Sequence, residues 1–129
     1  MSVEDKLAIQ EVIARYSHAY DSKDAEAVGQ LFVEDGIFEV IVPSEPSPTV
    51  RLSSRVAICD WAKQRFQLNP SSQVRHYQSG VLFDELTAET ASARTMLLLT
   101  RQNASDAAPV VPMTRFRRFL LIATSSGAA

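Results

Sequence analysis

An α+β fold, with a curved antiparallel sheet and three helices over its concave face, is the architecture this sequence predicts. Three observations lead to it. Apolar residues recur at helical spacing through the first third of the chain, a proline-rich break follows Val42, and long runs rich in β-branched and aromatic residues fill the second half. Strands gathered after helices argue against alternating βαβ units, and so against a doubly wound parallel sheet.

The first helix is expected from about residue 3 to Tyr20, because Ile9, Val12, Ile13, Tyr16 and Tyr20 share one face and Ser2 and Asp5 have the spacing of an amino-terminal cap. The polar turn Asp21-Ser22-Lys23-Asp24 separates it from a second stripe, Ala27, Val28, Leu31 and Phe32, which is expected to stop near Asp35-Gly36 with the glycine in a left-handed exit. Gly36 to Val42 reads as a buried strand broken only by Glu39. The segment Pro43-Ser44-Glu45-Pro46-Ser47-Pro48 ends it, because proline cannot donate to a ladder. Ser53 or Ser54 is expected to cap a third helix with the stripe Ile58, Trp61, Ala62 and Phe66, closing before Asn69-Pro70. Val74 to Phe83, Thr90 to Arg101 and Val110 to Ala123 follow as strands.

A chain of 129 residues with 46% hydrophobic and 22% charged content has the size of one globular domain, expected to span residues 1–129. Its net charge of -2 provides no broad field to gather nucleic acid or anionic lipid, and Arg115, Arg117 and Arg118 form only a local basic cluster, read as solvated or interfacial. The single cysteine, Cys59, excludes an internal disulfide, and the amino terminus lacks the basic start and apolar run of a secretion signal, so a cytoplasmic protein is expected. No apolar stretch approaches the roughly 20 residues that cross a bilayer. With no glycine-rich phosphate loop, nucleophile elbow or Cys-x-x-Cys pair, nucleotide and zinc-finger chemistry are disfavoured and no cofactor is expected.

Chemistry concentrates in two places, Asp21 at the end of the first helix and His76 on a distant strand. A carboxylate that accepts from one ring nitrogen fixes the imidazole's tautomer and steadies the imidazolium formed when the other nitrogen takes a proton. An apolar wall disfavours the charged ring and a nearby carboxylate favours it, and opposed effects of that kind suit a base working near neutrality. Strand alternation groups His76 with Val74, Gln78, Gly80 and Leu82, against Arg75, Tyr77, Ser79, Val81 and Phe83, without saying which face is inward. The residues also permit a plainer reading, with Asp21 capping the second helix and His76 a satisfied core histidine.

Tyr16 and Tyr20 lie four apart and share a helix face, so their phenols are either donors to a substrate oxygen or packing residues. Phe32 and Trp61, the aromatic members of the next two stripes, complete the expected substrate lining with Tyr16. Arg94 is a candidate for holding an anionic substrate, or for pairing with an acidic neighbour across the sheet. Glu39 is a second acid or base, or an edge charge facing water. His18, Asp21 and His76 together would make a two-histidine, one-carboxylate metal set, but no further histidine motif supports it and no metal is expected. Cys59, without a basic neighbour in sequence, is not expected to be a nucleophile.

The run Asp5-Lys6-Leu7-Ala8-Ile9 through Arg15-Tyr16, with Tyr20-Asp21-Ser22-Lys23-Asp24, Leu31-Phe32 and Glu34-Asp35-Gly36, resembles the SnoaL-like branch of the nuclear transport factor 2-like superfamily. The resemblance implies a cone-shaped α+β barrel around an apolar pocket, as a homodimer. Tyr20 to Asp24 is similar to the helix end of scytalone dehydratase, and His76-Tyr77 resembles the strand that carries the catalytic histidine there and in hexachlorocyclohexane dehydrochlorinase. It therefore implies Asp21, His76 and Tyr20 as catalytic residues of a cofactor-independent lyase acting on a small apolar or polyketide-like substrate, with Tyr16 in the place of an oxyanion-stabilising tyrosine. Isomerase chemistry fits less well, because the isomerase base position falls at Val40, with Glu39 one residue off and on the opposite face. The second dehydratase histidine falls near Thr100, and Ser125-Ser126-Gly127-Ala128-Ala129 stands where family members carry a Gly-Trp-Arg-like segment. The competing expectation is a non-catalytic module of the same fold that binds a hydrophobic ligand or serves for dimerisation.

Overall fold

The computed structural model describes residues 1–107 and the main chain of residues 123–124. Three helices, α1 (Val3–Asp21), α2 (Ala25–Gln30) and α3 (Arg55–Leu68), accompany the strands β1 (Phe38–Val40), β2 (Val50–Leu52), β3 (Gln73–Leu86), β4 (Thr90–Gln102) and β5 (Ala123–Thr124). The strands form two antiparallel sheets, β1-β2 and β3-β4-β5, so the architecture is the expected mixture of helices and antiparallel strands. The expected strand from Val110 and the basic cluster at Arg115, Arg117 and Arg118 lie outside the described residues, apart from the strand's end at Ala123. Among the described residues no helix is long and apolar enough to cross a membrane.

Helix α1 starts on a complete capping box. The Asp5 main-chain N–H donates to Ser2 Oγ at 3.1 Å, and the Ser2 N–H donates back to Asp5 Oδ2 at 2.8 Å. The buried residues Ile9, Ile13 and Ser17 succeed one another at intervals of four, and Tyr16 and Tyr20 lean toward the core beside them. Ser54 is the cap of α3, accepting from the Ala57 N–H at 3.1 Å, and Asn69 closes the helix before Pro70 as expected.

Two expectations around residues 36–52 need correction. The strand expected from Gly36 to Val42 is only three residues long, because Ile37 and Ile41 at its ends are 54% and 63% exposed and the run is not continuously buried. After the proline segment the chain turns back into β2, a strand the pattern did not show. Glu39 and Arg51 face each other across β1 and β2 as an ion pair, which gives the lone acidic residue of β1 a partner at the sheet surface. Gly36 does not take the left-handed exit expected of it. A Cβ there would come within 2.9 Å of the Val33 carbonyl oxygen and 3.0 Å of Phe32 Cβ, so close approach explains the glycine.

The core lies between α2, α3 and β1, with Val28, Phe38, Ile58 and Ala62 at its centre. Gly29 lets the two helices approach closely, since a Cβ there would stand 3.1 Å from Cys59 Cβ. In the large sheet β3 and β4 stay in register from Gln73 opposite Gln102 to Ser79 opposite Met96, then slip before Leu82. The slip coincides with Gly80, whose φ of 65° is left-handed, and a bulge of this kind bends a strand and increases its twist. On β4 the alternation is clear: Ala91, Ala93, Thr95 and Leu97 are buried, whereas Arg94, Met96 and Leu98 are exposed.

Ile58 is 0% exposed, and Ile58→Ala is expected to cost about 2–5 kcal/mol in urea denaturation. Burial pushes the Cys59 thiol above its ordinary value of 9.0, with the Glu26 carboxylate adding to the effect and Lys63 opposing it. The folded protein therefore keeps this proton to higher pH than the unfolded chain does. The resulting stabilisation is full below about 9.0 and is lost as pH rises through the folded-state value, and Cys59→Ala is expected to flatten the stability curve over that alkaline range.

Candidate active site

The end of α1 is built to present Asp21. Ser22 Oγ donates to the His18 carbonyl at 2.7 Å, and the Asp24 N–H reaches back to the Ala19 carbonyl at 2.9 Å. Between them Lys23 sits at φ 60°, a left-handed conformation that usually falls to glycine or asparagine at a helix exit. Asp24, not Asp21, caps α2, accepting from the Ala27 N–H at 3.0 Å. The plainer role open to Asp21 is thereby taken by its neighbour three residues on, and the Asp21 carboxylate turns toward the sheet.

There it meets His76 twice. Asp21 Oδ1 lies 2.6 Å from His76 Nδ1, and Asp21 Oδ2 accepts the His76 main-chain N–H at 2.9 Å. The two side chains are only 8% and 12% exposed, so water does little to weaken the contact. A carboxylate has no proton to donate, so the hydrogen between them belongs to Nδ1, and in the neutral ring Nε2 carries the lone pair. Further stitches hold helix and strand in place. Gln73 Nε2 donates to the Asp21 carbonyl at 3.1 Å, and Gln78 Nε2 donates to Ser17 Oγ at 2.8 Å and to the Ile13 carbonyl at 3.2 Å.

Aromatic rings wall the imidazole. Tyr20 stands edge-on to His76 with centroids 4.9 Å apart, and Tyr16 does so at 5.8 Å. Tyr20 also contacts Phe66 and Trp61, and the chain of rings continues through Phe38 to Phe32. Tyr16 and Tyr20 flank the His76 ring directly, whereas Trp61 joins the cluster through Tyr20 and Phe38, and Phe32 joins it through Phe38. Among the described residues the Tyr20 hydroxyl makes no hydrogen bond, which leaves a donor at the edge of the ring cluster.

Arg94 is not part of this group. It projects from the outer face of β4, half exposed, and pairs with Asp84 at 3.2 Å, because it alternates with the inward-facing Ala93 and Thr95. The substrate-binding role expected of it is therefore replaced by a surface ion pair. His18 is exposed on α1, and among the described residues no three His, Cys, Asp or Glu side chains are grouped to hold a metal. Ser17 and Gln78, which the sequence does not single out as site residues, brace the dyad through their mutual hydrogen bond. Their signal was spacing: Ser17 is four before Asp21 on the helix and Gln78 two after His76 on the strand, so each shares a face with a dyad member.

A family model described as a SnoaL-like domain matches residues 1–119. Among solved structures, a Mycobacterium tuberculosis protein of unknown function is 24% identical with a TM-score of 0.67, covering 83% of this chain. This chain spans only 56% of that protein's length. A Novosphingobium aromaticivorans protein named provisionally as a scytalone dehydratase is 19% identical over 83% of this chain and 66% of its own, with a TM-score of 0.67. A Catenulispora acidiphila protein solved in complex with S-DNPA is 22% identical over 86% of this chain and 75% of its own, with a TM-score of 0.66. A comparison with curated proteins finds no match. The structural likenesses show a common fold.

Removing the carboxylate strands two donors on His76. Asp21→Ala is expected to lower stability by about 2–5 kcal/mol in urea denaturation, because both the ring and main-chain N–H lose their acceptor in a nearly dry site. Asp21→Asn, which retains one acceptor oxygen, is expected to fall between that variant and the parent protein.

Proposed function

The chain belongs to the SnoaL-like family, and from that footing we propose that it is a cofactor-independent lyase of dehydratase type, acting on a small apolar substrate. The observation that carries the reading is the 2.6 Å contact between Asp21 Oδ1 and His76 Nδ1 beside the Tyr16 and Tyr20 rings. A relative of this fold solved with a small molecule supports the coarser statement, that the protein takes small molecules.

In the proposed reaction His76 Nε2 removes a proton from carbon next to a carbonyl. The C–H electron pair becomes the new carbon–carbon double bond, and the oxygen on the neighbouring carbon departs. The imidazolium returns its proton to that oxygen, so water leaves and the base is regenerated. Asp21 steadies the imidazolium in between, while Tyr20 and Tyr16 donate to the carbonyl or leaving oxygen as charge builds on it. The aromatic walls restrict access of bulk water and favour an apolar substrate body.

A binding-only module is the second reading, favoured by the same ligand complex of a relative, and turnover separates the two. Pairing with a second copy is also proposed. On the outer face of β3 and β4, Tyr77 opposite Leu98 and Met96 opposite Ser79 leave apolar side chains 56%, 41% and 50% exposed for Tyr77, Leu98 and Met96, a surface a partner copy would cover. Sedimentation of the intact chain checks this, with a monomer at micromolar concentration counting against it.

The test of the lyase reading is a panel of β-hydroxy ketones, followed by the absorbance of the conjugated enone produced. His76→Ala is expected to lower turnover about 10²- to 10⁴-fold. Asp21→Asn should do nearly as much harm by presenting the wrong tautomer. Turnover unchanged in His76→Ala would rule out the base, and ligand binding without any turnover would leave the binding module.

A further inference from the structure

Beside Asp21 a cleft of about 30 Å³ opens where the ends of α1 and α3 meet the start of β3. Its walls include Tyr20, Asp21, Lys23, Arg65, Ser72 and Arg101. Its size admits about two water-sized groups, the span of a carboxylate's pair of oxygens. Two independent features single it out.

The first is an orphaned hydroxyl. Ser72 is 6% exposed, and its Oγ is the one buried side-chain polar atom among the described residues without a hydrogen-bond partner. Buried hydroxyls are nearly always satisfied, so an unpartnered donor closed off just behind the wall of a cleft is one that a side-chain rotation would offer to a group entering it. The second is charge. Lys23, Arg65 and Arg101 all line the cleft, and none makes an ion pair among the described residues, in a chain whose net charge is -2. Lys23 Nζ donates to the Asn69 and Pro70 carbonyls at 3.0 and 2.7 Å, contacts that anchor the ammonium without neutralising it. Arg65 is held over the Trp61 ring at 5.8 Å. The one negative wall residue, Asp21, has both oxygens engaged by His76.

We propose that this cleft is a carboxylate-binding subsite beside the dyad, in which Ser72 Oγ turns about its Cα–Cβ bond to donate to a carboxylate oxygen and Lys23, Arg65 and Arg101 supply the positive field. The substrate is then an organic acid whose apolar body extends past Tyr20 toward His76. As a substrate subsite it rests on the dyad being the reacting centre. As a binding site it stands on the cleft alone.

The experiment is a titration of the full chain, followed through amide NMR shifts, with three probes: sodium benzoate, benzamide and sodium sulfate. Benzoate is expected to move the Lys23, Ser72 and Val74 amides and to bind about 10-fold more tightly than uncharged benzamide. Ser72→Ala and Arg101→Gln should each weaken benzoate several-fold, the first removing the donor and the second one unit of charge. Equal binding of benzoate and benzamide overturns the proposal. So does binding of sulfate alone, which would mark a site for free inorganic anions. His76→Gln separates the two readings: benzoate binding retained with turnover unaffected discards the dyad and leaves the subsite, whereas turnover lost and no benzoate binding in the parent protein discards the subsite alone.

Discussion

The bond between Asp21 and His76 is the constraint on which the rest of the structure depends. One carboxylate ties the last turn of α1 to both the ring and the main chain of β3, so helix and sheet cannot slide without breaking two charge-assisted contacts in a nearly dry site. The same geometry that fixes the helix fixes the tautomer. With Nδ1 committed as donor, the imidazole is held in one tautomer and one orientation, the arrangement from which the proposed base would act.

Everything around that bond restricts how it can move. The Tyr16 and Tyr20 rings flank the imidazole edge-on, and Gln78 reaches across to Ser17 one helical turn before Asp21, so the dyad is bracketed above and at its sides. The left-handed backbone at Lys23 is a further expression of the same demand. Turning the chain within Ser22 to Asp24 allows Asp24 to cap the next helix and leaves Asp21 free for the sheet. A looser turn with Asp21 as the cap would have cost the site its carboxylate.

The alternation of β3 and β4 divides the chemistry between two faces. The inner face carries His76 and Gln78, and the outer face carries Arg94 with its partner Asp84 and the exposed residues Tyr77, Met96 and Leu98. Gly80 marks where the paired strands lose register and bend, a place where a side chain would collide with Met96. Positive charge near the site therefore comes from helix ends and strand termini, at Lys23, Arg65 and Arg101, and not from the middle of the sheet where Arg94 suggested it.

By itself the sequence determined the local elements. The capping box at Ser2 and Asp5, the Ser54 cap, the stripes of α1 and α3 and the strand runs of β3 and β4 follow from patterns within a few residues, which is why they are legible, whereas α2 ends at Gln30, short of the Asp35-Gly36 stop its stripe suggests. The family resemblance brought Asp21, His76, Tyr16 and Tyr20 together on paper. Only the tertiary structure decided which face of β3 is inward, that Asp24 rather than Asp21 caps α2, that β2 pairs with β1 across a proline segment, and that Ser72 lies unpartnered in a basic cleft. The physical reason is common to these. Each depends on atoms tens of residues apart coming within bonding distance, or on a burial that only packing defines, and neither periodicity nor propensity carries that information.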